Sequence, residues 1–203
     1  MIYAAPHEKI VDKKLRDIIA YFTFKAKHLT ERRLAKLIYI AEIYSIEKFG
    51  RRLSEINFFN YYYGPWSPEV DHTEELLSGG DILIGFDTTS HGYDASFFKP
   101  NVDKTTISLS DGDKTILDDV LNDWGFKRTP EIIEHAKSTT PCKSSEFGEL
   151  INFDEYIEEC ISTVIENDDD IVGGTLDAIE EYKIGFGETF KTREGILNHL
   201  RSL

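Results

Sequence analysis

Cysteine is scarce in this chain: Cys142 and Cys160 are the only two. They form no C-x-x-C pair and no Cys/His cluster, which excludes a zinc site of the usual spacing. They read as buried or semi-buried free thiols, with a structural disulfide as the alternative. Long apolar runs are missing too. None approaches the roughly 18 residues that a membrane span needs. Met1 to Glu8 lacks the hydrophobic stretch of a signal peptide, so the expectation is a cytoplasmic protein with no membrane partner.

Positive charge is the minority sign, 23 Lys and Arg against 37 Asp and Glu, for a net charge of −14. The imbalance grows along the chain. Residues 1–50 carry ten basic and six acidic side chains, residues 151–203 four and thirteen. A negative surface repels phosphates, which disfavours nucleic acid as a partner. It suits a basic protein partner, or does no more than keep the chain soluble.

Several catalytic signatures are absent: there is no G-x-x-x-x-G-K-[ST], no G-x-S-x-G and no H-E-x-x-H. The six His residues (7, 28, 72, 91, 135 and 199) are scattered. Gly185-Phe186-Gly187 lacks the third glycine of a dinucleotide loop and reads as a turn. Asp168-Asp169-Asp170 reads as a solvated acidic turn, because calcium loops space their ligands at alternate positions. No cofactor and no metal is expected. The paired carboxylates Glu74/Glu75 and Asp118/Asp119 fall on helix faces expected to be exposed. One enzymatic alternative stands, a hydrolase using His72, Glu69 or Asp71 at a helix start, where positions 69 and 72 share a face.

What is present is enough to build a core: 40% of residues are hydrophobic, 30% are charged, and there are thirteen Phe and ten Tyr. Val11, Leu15, Ile18, Ile19 and Phe22 recur at helical spacing and predict a helix over 10–26. Thr30 is an N-cap candidate for a second helix, with Leu34, Leu37, Ile38, Ala41 and Tyr44 inward, ended by Gly50. Ser54 to Tyr63 reads as an extended segment, one arm of a small sheet. Gly64 and Pro65 end it, and Ser67-Pro68 opens a third helix. Ile82–Phe86 and Thr105–Leu109 read as strands and 87–104 as a loop. A helix over about 111–124 follows, then one opened by Thr129-Pro130 with Ile132 and Ile133 inward. Residues 143–150 read as a polar linker. Phe153 to Ile165 forms an acidic amphipathic helix with Phe153, Ile157 and Ile161 on one side, and short helices follow at 175–183 and 192–202. The aromatic string Tyr61-Tyr62-Tyr63 with Trp66 is the candidate contact surface. Core packing is expected to absorb two of these rings, leaving one or two as partner anchors.

The order of these features resembles the Panacea (SocA-like antitoxin) family. The residues that carry the resemblance are Lys36-Leu37-Ile38-Tyr39, then Gly50-Arg51-Arg52-Leu53, then Tyr63-Gly64-Pro65 and Ser67-Pro68. Arg52 stands where the family usually has Pro, and Trp66 where a smaller aliphatic is usual. The resemblance covers about residues 10–142 and leaves 143–203 as an acidic, helical extension. It implies a mainly α fold with a small β element (α+β) and a compact helical domain. Lys36, Tyr39, Gly50, Tyr63, Gly64 and Pro65 would be family-motif residues of mostly structural role, and Tyr61, Tyr62 and Trp66 partner contacts. It also implies a non-enzymatic antitoxin that binds a cognate toxin encoded beside it, in some members as an adaptor to a protease. The alternative is an interaction module of a prophage or mobile element with no toxin partner. The toxin's identity and the oligomeric state stay open.

Overall fold

The computed structural model describes residues 12–27, 29–88, 92, 94–101 and 107–167. It is mainly α-helical with one two-stranded sheet. The chain divides into two units, Met1–Phe153 and Asp154–Leu203.

In the first unit, α1 (Lys13–Lys25) is capped by the Asp12 carboxylate, which accepts from Leu15 N–H at 2.6 Å. Leu15, Ile18, Ile19 and Phe22 are buried as the spacing predicts. The central helix is α2 (Glu31–Phe49). Thr30 caps it, and Gly50 ends it in the left-handed region at φ 63°, where a side chain would be strained. Its residues from Leu34 to Ile43 are all buried, so α2 is apolar nearly all round. That fits its place in the middle of the unit, packed by α1, by α3 (Pro68–Leu77), α4 (Asp111–Trp124) and α5 (Thr129–Ser138), and by β2 (Asp94–Pro100).

The sheet differs from the expected one. β1 (Ile82–Thr88) pairs antiparallel with β2, Ile82 opposite Pro100 and Gly85 opposite Phe97. Residues 94–100, read as loop, are therefore a strand. The hydrophobic alternation that marks it is short, because among the described side chains of β2 only Phe98 is buried, and β1 leaves Leu83 and Phe86 exposed. Phe98 N–H donates to Leu29 carbonyl at 2.9 Å and so fastens the hairpin to the start of α2. Ser54–Tyr63 is not an arm of this sheet. It is irregular backbone in which Phe59 makes isolated bridges to Trp66 and Leu150. Ile107–Leu109 is not a strand either.

Thr129 lies inside α5 and Arg128 is its N-cap, with the Glu131 carboxylate accepting from Arg128 N–H at 3.1 Å. Ile132 is buried as expected and Ile133 is half-buried. After α6 (Thr140–Lys143), residues 144–150 do not hang free as a linker. Asn60 holds them: its side-chain amide donates to the carbonyls of Cys142 and Ser145 at 3.1 and 2.8 Å, and its carbonyl accepts from Gly148 N–H at 2.7 Å. Ile151 N–H then bonds Phe58 carbonyl, and Phe153 packs on Tyr39 and Phe58. Phe153 thus belongs to the core of the first unit and not to the face of the following helix.

In the second unit α7 spans Asp154–Asn167. Asp154 and Glu155 sit in its first turn, where carboxylates complement the helix dipole. Asp168–Asp170, Gly185–Gly187 and the helices expected at 175–183 and 192–202 lie outside the described residues. Both cysteines are free thiols.

Candidate functional site: a charged cleft rimmed by aromatic rings

Two features of the backbone bring a set of polar and aromatic side chains together at the start of α2. Gly64 adopts φ +82° and closes a tight turn, its N–H donating to Tyr61 carbonyl at 2.9 Å. A side chain there would be strained and would meet Lys137 Cγ at 3.1 Å. The turn lets Trp66 come back antiparallel to Phe59, with two backbone bonds of 2.7 and 2.9 Å. Ser67 then caps α3 by accepting from Val70 N–H. The first turns of α2 and α3 therefore face each other across the 61–66 turn. Between them lies a shallow cleft of about 160 Å³ lined by Glu31, Arg32, Lys36, Tyr61, Tyr63, Trp66 and Asp71, among others.

Lys36 is 4% exposed yet has no hydrogen bond among the described residues. Burial pulls its ammonium down to about 8, against the opposing pull of Asp71. Asp71 accepts the indole N–H of Trp66 at 2.6 Å. Behind Asp71 lies Glu74, also 4% exposed, whose Oε1 is buried with no hydrogen-bond partner among the described residues. Burial first, then the charges of Glu31 and Asp71, push its carboxyl up to about 9. The expectation that Glu74 is exposed was therefore wrong, whereas Glu75 is exposed. The pattern carried the signal: Val70, Thr73, Glu74 and Leu77 share one helix face, and the other three are buried. Glu31, Asp71 and Glu74 offer oxygens that all lie within 4.8 Å of one another.

The rim is aromatic and wet. Tyr61 and Tyr63 are half exposed and Tyr62 is 70% exposed. Trp66 is half-buried. None of the four is a core residue, so packing absorbs fewer rings than expected. They form two ring groups: Tyr62 meets Tyr63 edge-on, while Tyr61 leans on Trp66 and Phe147 stacks on Tyr61 with centroids 5.2 Å apart. The guanidinium of Arg32 lies over the Tyr63 ring at 4.7 Å. Phe147 is the rim residue that the sequence did not single out, because its place depends on the docking of 144–150 through Asn60.

The remaining motif residues hold the scaffold. Tyr39 is fully buried, its hydroxyl 2.7 Å from Thr139 Oγ1 and its ring against Phe58 and Phe153. Burial pushes its phenol far up. Pro65 is buried beside Gly64. Arg52, the departure from the usual Pro, ion-pairs the buried Glu42 at 3.4 Å. Glu42 also accepts from the N–H groups of Leu53 and Ser54 at 2.8 and 3.0 Å and from the Ser54 hydroxyl. The residues of the hydrolase alternative are not brought into one site. Glu69 accepts from Asn57 and Ser67, Asp71 is held by Trp66, and His72 has no hydrogen bond among the described residues.

The fold and the cleft define the class: a mainly helical domain with one small hairpin, presenting an aromatic-rimmed charged cleft at the start of its central helix. The family described as antitoxin SocA-like, Panacea domain, matches residues 34–143, which runs from α2 to the end of α6. The chain belongs to this SocA-like antitoxin (Panacea) family. No curated protein matches the chain. Among the described residues no helix is long and apolar enough to cross a membrane.

Proposed function

We propose that this protein is an antitoxin that neutralises a cognate toxin by direct protein–protein contact through the aromatic rim of the cleft. The observation that supports the reading is the exposed cluster Tyr61, Tyr62, Tyr63 and Phe147 beside half-buried Trp66. Large rings left on the surface gain little for folding. They supply area at low entropic cost when a partner covers them, which is why Tyr and Trp dominate interface hot spots. Net charge of −14 favours a basic partner and speeds its encounter. Function is then steric: the bound rim covers a surface that the toxin needs. The protein acts in the cytoplasm as a binding protein without a catalytic step. The antitoxin domain expected over residues 10–142 carries the docked 144–153 stretch with it, and the acidic extension follows.

The test is co-expression with the product of the adjacent gene. That product should stop growth alone and be tolerated with this protein present. Tyr62→Ala combined with Tyr63→Ala should restore toxicity while the variant protein stays folded. A harmless neighbour, or one that stays toxic beside the wild-type protein, overturns the reading and favours an interaction module with no toxin partner. If neutralisation disappears in a host lacking its ATP-dependent proteases, the protein works as a proteolytic adaptor and not by occlusion.

A further inference from the structure

Glu31 on α2 and Asp71 and Glu74 on α3 converge, with the buried Lys36 ammonium near enough to feel the charges of Asp71 and Glu31 but in an ion pair with neither. Their oxygens lie within 4.8 Å of one another. None of the ion pairs among the described residues includes any of the three. A separate observation concerns Glu74 alone. It is 96% removed from solvent and its Oε1 has no donor among the described residues. Buried polar atoms are nearly always partnered, so an orphan oxygen on a buried carboxyl that stands within a cluster of two other carboxylates marks a missing ligand. The Trp66 indole N–H fixes one oxygen of Asp71 and, among the described residues, no donor meets the other, which is how supporting groups orient a metal-binding carboxylate.

From this geometry we propose that Glu31, Asp71 and Glu74 bind a hard divalent cation of the Mg²⁺ or Mn²⁺ class. The set is all oxygen, with no His or Cys, which suits hard ions over zinc or copper. An octahedral ion with metal–oxygen distances of about 2.1 Å places adjacent oxygens about 3 Å apart and opposite ones about 4.2 Å apart. The present spacing, up to 4.8 Å, is slightly wider than that shell. Three protein oxygens leave about three positions for water, the usual state of a Mg²⁺ ion. Exposed Glu31 lies on the solvent side, so the ion enters from the cleft and seats against buried Glu74. Because its ligands come from two helices, the ion would tie the start of α2 to α3 and brace the turn that carries the aromatic rim. The proposal is independent of the antitoxin reading, since it concerns the isolated chain.

Mn²⁺ is the probe, titrated into chelator-treated full-length protein and followed by the loss of its free-ion EPR signal and by thermal unfolding. Saturable binding of one ion is expected, with unfolding raised by about 5 °C at concentrations about 100-fold above Kd. Mg²⁺ should compete. Glu74→Gln and Asp71→Asn should each weaken binding at least tenfold, while Glu134→Gln, on the exposed face of α5, should leave it unchanged. Circular dichroism of the variants confirms that they fold. The proposal is overturned if Mn²⁺ binding is absent or unsaturable. It is equally overturned if Glu74→Gln binds as tightly as wild type, which would make Glu74 a buried neutral acid and nothing more.

Discussion

Among the described residues of the first unit two glutamates are deeply buried, and their surroundings could hardly differ more. In the second half of α2, Glu42 is fully enclosed, yet it meets two backbone N–H groups, a serine hydroxyl and the guanidinium of Arg52. On α3, Glu74 is nearly as enclosed and its Oε1 has no donor among the described residues. The first arrangement is structural: it fastens the 52–54 turn to the helix that precedes it. The second costs stability and returns none to the isolated fold. Groups kept at such a cost are where a binding role is sought first.

The largest expected effect comes from breaking the satisfied member. Glu42→Ala leaves the N–H groups of Leu53 and Ser54 without acceptors and Arg52 without its carboxylate. A loss of about 3–5 kcal/mol in urea unfolding is expected. Glu74 gives the opposite sign. At pH 7 the unfolded chain ionises this carboxyl while the folded one keeps it neutral. The folded value is raised from 4.5 to about 9, so the penalty is absent below about pH 4.5 and grows as pH rises towards 9. At pH 7 it amounts to about 3 kcal/mol. Glu74→Gln should therefore stabilise the metal-free protein at pH 7 by about 1–3 kcal/mol. Wild-type stability should fall between about pH 5 and 8, and the variant's curve should be flatter. That range lies largely below the window in which Lys36 gives up its charge.

Arg52→Ala sharpens the comparison from the other side. Glu42 keeps its hydrogen bonds but loses its cation, and a loss of about 1–3 kcal/mol by chemical denaturation is expected, smaller than that for Glu42→Ala. The smallest effect belongs to the control. Glu75 adjoins Glu74 in sequence but is exposed, so Glu75→Gln should stay within about 0.5 kcal/mol of wild type at any pH from 5 to 8. An effect at Glu75 as large as that at Glu74 would show that chain position, and not burial, governs the pair.

Much of the helical frame was legible because its signals are local. Thr30 and Ser67 cap their helices, and Gly50 takes the left-handed residue that ends α2. The strand at Asp94–Pro100 was not legible, since one face of the hairpin is solvated and its pairing depends on Leu29, distant in sequence. The docking of 144–150 was missed for a related reason: a single amide, Asn60, organises it from more than eighty residues away. Of the cleft, Lys36, Tyr61, Tyr63 and Trp66 stood out as motif or aromatic residues. Glu31 and Glu74 did not, because acidic residues at a helix start or beside another Glu look like surface. The helical spacing of Val70, Thr73 and Leu77 is the signal that separates Glu74 from Glu75.

Phe153 lies ten residues beyond the end of the family match, yet its ring closes the aromatic cluster around Tyr39 and Phe58, with Arg52 over its outer side at 4.3 Å. The family boundary and the physical boundary are therefore not the same place. A fragment trimmed to residue 143 would enter every assay with a hole beside the buried Tyr39 and with the Asn60 anchor stripped of its bonds to Ser145 and Gly148. Such a fragment would behave as a core-cavity mutant of the parent, and a loss of binding by it would report on folding and not on the role of the acidic tail.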